Sequence, residues 1–261
     1  MAVLLCLFSG CGGRPSEPEP TAEPEPVQET PVSTPEPEPE PDADYELSEE
    51  ELQTLREELQ ADQEINPDIR CLIHFNSGLL HKPVAQSDNE DYYLYRDWQT
   101  HEYLSYGTIT LDSRNHLEAD DQNTILYGHY VYRIKSEDRT LAFSALEVFQ
   151  EEAGYADNRY VTLVLPDEVR YYEVAAVFEA PLETIDGVQY PMYGIEYNLM
   201  DYDEEYMNLY RENIHRYEYY DTGVELSADD RFLTLQTCIE NQHDFREVVL
   251  CVERDRQPFG G

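Results

Sequence analysis

"FLTLQTC", residues 232–238, is an apolar run that ends on a thiol, and "REVVLCVE", residues 246–253, is a second apolar run that begins on an arginine. Short runs rich in Val, Leu and Thr favour β-strands. If the strands are neighbours joined by "IENQHDF", antiparallel pairing places Cys238 and Arg246 at the same edge of the sheet. Two alternatives follow for Cys238: a buried thiol at the end of a strand, or a nucleophile presented to a substrate.

Further strand-like segments begin at Ile69 and are separated by polar turns. They are rich in Val, Ile, Thr and Tyr, and their short length predicts a β-barrel or a β-sandwich. The segments are "CLIHF" (71–75), "GTITLD" (107–112), "NTILYGH" (123–129), "YVTLVLP" (160–166) and "VRYYEVAAVFEAP" (169–181).

Three other segments are predicted to be helical. "LSEEELQTLREELQAD", residues 47–62, has Ser48 placed as an N-cap with Glu51 three residues later, and its leucines recur near helical spacing, which predicts an amphipathic helix packed on the domain. Residues 140–152 and 203–220 also favour helix. Residues 203–220 lie between two strands and are long for a barrel connection. We therefore expect a helix beside the sheet, in a position to form one side of a groove.

The composition predicts a single well-packed domain with an acidic surface. The 261 residues are 41% hydrophobic and 12% aromatic, which is enough for one core of ordinary size. Asp and Glu number 56 against 17 Lys and Arg, giving a formal net charge of −39. Such a surface repels phosphate backbones and anionic lipid headgroups. We therefore exclude nucleic acid as a partner and expect cationic or neutral ones.

The N-terminal part of the chain is predicted to lie outside the folded domain. Residues 1–13 contain an apolar run far shorter than the roughly 20 residues of a membrane-spanning helix. Their "LFSGC" resembles the end of a bacterial lipoprotein signal, with Cys11 as the lipidated residue; the alternative is a fragment of a longer signal anchor. Residues 14–45 repeat Glu-Pro and predict an extended, disordered tether. Residues 46–261 form the folded domain.

The thiols outside the signal segment are Cys71, Cys238 and Cys251, an odd number, so at least one is unpaired within the chain. Cys71 and Cys251 lie in strand-like runs and are predicted to be buried core thiols, with a disulfide between them as the alternative. A nucleophilic thiol needs a cationic or basic neighbour, because only about 3% of an ordinary thiol is ionised at pH 7. Among seven histidines, His129 ends a predicted strand directly after Gly128, where glycine permits close approach of another segment.

These motifs resemble the sortases. "TLQTC", residues 234–238, is similar to the sortase signature Thr-Leu-x-Thr-Cys, "NTILYGH" resembles the strand that ends in the catalytic histidine of the family, and Arg246 falls where the family has its essential arginine. Residues 66–97 are similar to the stretch that opens the class B sortase domain. The helical insertion at 203–220 is the feature that separates class B from smaller classes.

The resemblance implies a mostly β fold, an eight-stranded sortase-type barrel with an N-terminal helix and a long helix inserted before the strand that carries the cysteine. It also implies a cysteine transpeptidase in which Cys238 attacks a peptide carbonyl and forms a thioester. His129 then transfers protons, and Arg246 stabilises the oxyanion or holds the substrate backbone. The family requires no cofactor or metal.

The resemblance further implies substrate-binding residues and partners. Thr237 and Gln236 lie beside the nucleophile, and Asn89 and Leu94 resemble residues of the class B substrate groove. The implied substrates are secreted proteins with a C-terminal sorting motif. The implied acceptor is an amine of a peptidoglycan precursor or a pilin lysine. The expected location is the outer face of the bacterial cytoplasmic membrane, with an N-terminal anchor as the membrane attachment.

Two other classes of function remain open from the residues. A hydrolytic cysteine peptidase would use the same thiol and imidazole with water as the acceptor. A non-catalytic lipoprotein binding module would keep the motifs without activity.

Overall fold

The computed structural model describes residues 45–89, 91–119, 121–131, 141–181, 203–239 and 242–259, with residues 242–244 described by their backbone alone. Most of the predicted signal segment and tether, residues 1–44, therefore lies outside the described residues. The described residues belong to one compact unit, Pro41–Gly261. None of their helices is long and apolar enough to cross a membrane.

Within these ranges eight strands form a closed barrel, which confirms the predicted fold class. The strands are β1 (Ile69–Phe75), β2 (His81–Ala85), β3 (Ile109–Leu111), β4 (Asn123–Tyr127), β5 (Tyr160–Val164), β6 (Glu168–Pro181), β7 (Phe232–Ile239) and β8 (Gln242–Pro258). Their order around the barrel is β1-β2-β3-β4-β7-β8-β6-β5. The strands β4 and β7, far apart in sequence, are parallel neighbours, and β7 pairs antiparallel with β8.

The N-terminal helix, α1 (Glu49–Ile65), forms as its sequence predicts. Ser48 accepts a hydrogen bond from the Glu51 backbone and the Glu51 carboxylate accepts one from the Ser48 backbone, so a capping box satisfies two N–H groups that lack helical partners. Leu55 and Leu59 are buried against the barrel. Tyr45, at the end of the predicted tether, is also buried in this cluster.

The remaining helices are α2 (Asp91–Leu94), α3 (Glu152–Asp157), α4 (Glu204–Tyr217) and two 3₁₀ helices, Leu117–Ala119 and Ser144–Gln150. The prediction of a helix before β7 is confirmed, because α4 buries Met207, Tyr210 and Ile214 against β6 and β8. The outer face of these strands therefore forms a second core beside the barrel interior.

Sequence patterns were less accurate in two places. The helix predicted over 140–152 is the 3₁₀ helix Ser144–Gln150 followed by α3, because the chain turns at Glu151, whose extended backbone separates the two. The strand β2 and the short helix α2 were not predicted. The core thiols are as expected: Cys71 and Cys251 are fully buried and free, so the alternative of a disulfide between them is wrong.

Candidate active site

The pairing of β7 with β8 brings Cys238 and Arg246 together, as the sequence predicts. The two residues are direct partners in the antiparallel register, so their side chains leave the same face of the sheet. Cys238 is partly exposed, whereas burial raises the pKa of Cys71 to about 12 and also raises that of Cys251. Within the described ranges, Cys238 is therefore the cysteine that a substrate can reach.

The parallel pairing of β4 with β7 brings His129 to the same place. Tyr127 is the register partner of Gln236, and the Gly128 N–H donates to the Gln236 carbonyl at 3.2 Å. The Thr237 hydroxyl then donates to the Gly128 carbonyl at 2.8 Å. Continuing this register by two residues beyond Tyr127 and Gln236 places His129 alongside Cys238.

A glycine before the histidine is required by close packing. A Cβ atom on Gly128 would lie 2.7 Å from a ring carbon of Phe143, closer than real Cβ contacts. The Phe143 N–H also donates to the His129 carbonyl at 3.1 Å. The segment before the 3₁₀ helix Ser144–Gln150 thus approaches the end of β4, which confirms the close approach that Gly128 predicts.

The environment of His129 favours the neutral imidazole. Burial lowers its pKa, a hydrogen bond with the Leu94 backbone partly opposes this, and the charge of Arg246 lowers it further. The Nε2 atom is buried and has no hydrogen-bond partner among the described residues. Below this pKa the ring gains a proton, so a neutral ring that can accept a proton prevails at neutral pH.

Arg246 supplies a permanent positive charge beside the thiol and the imidazole. Its Nη1 donates to the Phe245 carbonyl at 2.9 Å. A guanidinium carries a fixed charge and a planar fork of N–H donors, which suit an oxyanion or a peptide carbonyl. In the described part of the chain, no cluster of three or more His, Cys, Asp or Glu side chains is arranged to hold a metal ion.

Comparison with known proteins matches this geometry to one family. No protein-family profile matches the chain. Sortase B of Listeria monocytogenes is 26% identical over 202 residues, which cover 76% of this chain and 74% of the relative. Sortase B of Staphylococcus aureus is 27% identical over 200 residues, covering 77% and 75%. The structure of Clostridium perfringens sortase B is 27% identical, covers 75% of this chain and 99% of that one, and superposes with a TM-score of 0.60.

These matches support a class B sortase, a cysteine transpeptidase on an eight-stranded barrel.

The structure places the four predicted substrate-binding residues in different settings. Leu94 lies at the site, where its backbone meets His129. Thr237 and Gln236 flank the site, but their side chains are only 2% and 4% exposed, and the Gln236 Nε2 is buried without a partner in the described residues. Asn89 is exposed, and its Oδ1 accepts from the Asp91 N–H at the start of α2 at 3.2 Å. Contact of these four residues with substrate remains a prediction.

Two residues near the candidate site carry no sequence signal. The ring of Tyr95 lies 4.9 Å from the His129 ring, centroid to centroid. Glu247 follows Arg246 and is the register partner of Thr237, so it points to the other face of the sheet. The sequence does not distinguish Tyr95 from the other tyrosines, 22 in all, or Glu247 from the other acids among 56. Their importance comes from the neighbours that the folded barrel gives them.

Glu247 is an acid buried in the barrel wall beneath the site. It is fully buried, the Gln150 side chain donates to its Oε2 at 2.9 Å, and its Oε1 has no partner among the described residues. Burial raises its pKa from the ordinary 4.5 to about 8; the Gln150 hydrogen bond opposes this, and Glu147 and Glu179 add to it. The carboxyl is therefore protonated in the folded protein at neutral pH.

Replacing Glu247 by Gln is expected to flatten the pH dependence of stability. Between about pH 4.5 and 8 the folded state holds a proton that the unfolded state releases. The free energy of unfolding of the parent therefore falls as pH rises through this window, by up to about 1.4 kcal/mol per pH unit. Urea unfolding at several pH values should show a smaller fall in Glu247→Gln than in the parent. The control Glu64→Gln, on the exposed surface of α1, should match the parent. If the free energy of unfolding fell with pH equally in Glu247→Gln and in the parent, Glu247 would not be the protonated group.

Proposed function

We propose that this sortase cleaves a C-terminal sorting signal of a secreted protein and transfers the protein to an amine. The observation that supports this is the convergence of a partly exposed thiol, a neutral imidazole and a guanidinium on one face of the barrel, carried by β7, the end of β4 and β8. Each group has a role that the chemistry of acyl transfer needs.

In the first half of the reaction, the Cys238 sulfur attacks a backbone carbonyl carbon of the signal while His129 takes the thiol proton. N–H groups of Arg246 donate to the oxyanion that forms. The carbon–nitrogen bond then breaks, and His129 gives its proton to the departing amine of the tail. The product is a thioester between the substrate and Cys238.

In the second half, an amine attacks the thioester carbonyl and His129 takes a proton from it. The carbon–sulfur bond breaks, and the proton returns to the Cys238 sulfur, which restores the starting thiol. The acceptor is an amine of a peptidoglycan precursor or a pilin lysine, and the acidic charge of the protein, −39, favours a cationic acceptor. The protein acts at the outer face of the cytoplasmic membrane, attached through its N-terminal segment.

The experiment that tests this function uses a peptide library in which a labelled N-terminal part, a varied pentapeptide and a tail are joined. Intact-mass measurement should find the acyl adduct, and digestion should locate it on Cys238. Adding triglycine or a lysine-containing peptide should give a ligated product. Hydrolysed product alone, with amine present, would indicate a cysteine peptidase instead. The absence of an adduct with every peptide would indicate a binding module.

A further inference from the structure

One ring nitrogen of His129 is buried in this structure, although the residue as a whole is partly exposed. A base that exchanges protons with a thiol and with substrate amines must present a ring nitrogen to them. The Nε2 of His129 is instead buried and has no hydrogen-bond partner in the described ranges. A buried polar atom without a partner costs free energy, so its retention here calls for an explanation.

The segment around Tyr95 contacts the imidazole in two ways. The Leu94 backbone hydrogen-bonds the ring, and the Tyr95 ring packs against it at 4.9 Å with the planes inclined at 52°. Leu94 therefore holds one nitrogen of the His129 ring through its backbone, and the next residue, Tyr95, covers the ring. The Tyr95 side chain remains 43% exposed, so its outer side faces solvent.

The backbone beneath Tyr95 is fixed while its side chain projects outward. The Tyr95 carbonyl accepts from the Leu104 N–H at 2.9 Å, and the Thr108 N–H donates to the Tyr93 carbonyl at 2.8 Å. Gly107 has a positive φ of 52°, and a Cβ there would lie 2.1 Å from the Leu94 carbonyl oxygen. Rotation of the Tyr95 side chain can therefore uncover His129 without moving the Leu94 carbonyl that orients the ring.

We propose that Tyr95 is a positioning residue for the proton-transfer step, whose ring packs over the His129 imidazole and limits its contact with solvent until a substrate peptide displaces it. This inference rests on the proposed role of His129. Leu94 sets the orientation of the imidazole, and Tyr95 controls its access to water. Displacement by substrate exposes Nε2 where the thiol and the departing amine need it, and the covered ring meets less water before that.

Among the described residues, the titratable and charged groups placed beside the imidazole are Cys238 on β7, Arg246 on β8 and Tyr95 itself. Burial is the largest cause of the low pKa of His129, ahead of the charge of Arg246. Removing the Tyr95 ring admits water to the imidazole and leaves Arg246 in place. The pKa of His129 should then rise towards its ordinary value, but the Arg246 charge should keep it from a full return.

The test compares Tyr95→Ala with Tyr95→Phe, which keeps the covering ring, and with Tyr103→Ala, which removes a 74% exposed tyrosine of the same segment. We expect NMR titration of His129 to give a higher pKa in Tyr95→Ala alone. Modification of His129 by diethyl pyrocarbonate should be severalfold faster in that variant, and the acid limb of kcat/KM should move to higher pH. A His129 in Tyr95→Ala that titrates and reacts like that of the parent would overturn the proposal.

The titration and the modification need no turnover. A parent protein without transpeptidation would therefore refute the proposed function, while the Tyr95 comparison would still decide whether this ring covers the imidazole. Equal changes in Tyr95→Phe and Tyr95→Ala would assign the effect to the hydroxyl and also overturn the proposal.

Discussion

Replacing Cys238 by Ala is expected to abolish acyl-enzyme formation and ligation, because no other described thiol is accessible to a substrate. Cys238 is only partly buried near the end of β7, so the loss of one sulfur atom there leaves no enclosed cavity. The melting temperature should therefore stay close to that of the parent. Intact-mass measurement after incubation with a sorting peptide, together with a thermal melt, checks both parts of this prediction.

The matched control is Cys251→Ala, because that thiol is also on a barrel strand but is fully buried in the core. Its removal leaves a small cavity and should cost on the order of 1 kcal/mol of unfolding free energy. It should leave the acyl adduct intact. Turnover by Cys238→Ala, or an adduct that requires Cys251, would show that Cys238 is not the nucleophile.

The strands of the barrel could largely be predicted from the sequence, because buried strands are rich in β-branched and aromatic residues. The strand β2, "HKPVA", shows the limit of that signal. It contains a lysine and Pro83, which cannot donate a hydrogen bond to a neighbouring strand, and Val84 and Ala85 are its buried residues. It forms a strand because β1 and β3 pair with it on both sides. Such pairing is a tertiary effect that local composition does not record.

The site was predictable to different degrees for physical reasons. Cys238 and Arg246 lie on consecutive strands, so antiparallel pairing alone predicts their proximity. His129 lies just beyond the end of β4, which pairs in parallel with β7 across more than a hundred residues of chain. Its position after Gly128 singled it out among the histidines, but only the family resemblance placed it beside Cys238. The packing of Tyr95 on that histidine depends on the loop geometry around Gly107, which has no sequence pattern.

Replacing His129 by Ala is expected to lower the rate of both acylation and transfer to the amine by about 10²–10⁴-fold, the usual contribution of a positioned acid–base group. Both steps lose the group that carries the proton between sulfur and nitrogen. The matched control is His116→Ala, an exposed histidine. Its backbone N–H donates to Asp121 at 2.6 Å and its carbonyl accepts from the Ala119 N–H at 2.8 Å, and alanine keeps both of these backbone bonds. Single-turnover kinetics measured with and without triglycine separate the two steps. Normal kinetics in His129→Ala would assign proton transfer to another histidine.

The pH dependence of the same variant gives a second test. Burial and Arg246 lower the pKa of His129 below its ordinary value of 6.5, so the neutral base is present at neutral pH and is lost as pH falls through the lowered pKa. The kcat/KM of the parent should therefore decline on the acid side below pH 6.5, because that parameter reports the free enzyme. The residual activity of His129→Ala should lack this decline. An acid limb that persists unchanged in the variant would mean that a group other than His129 accepts the proton of Cys238.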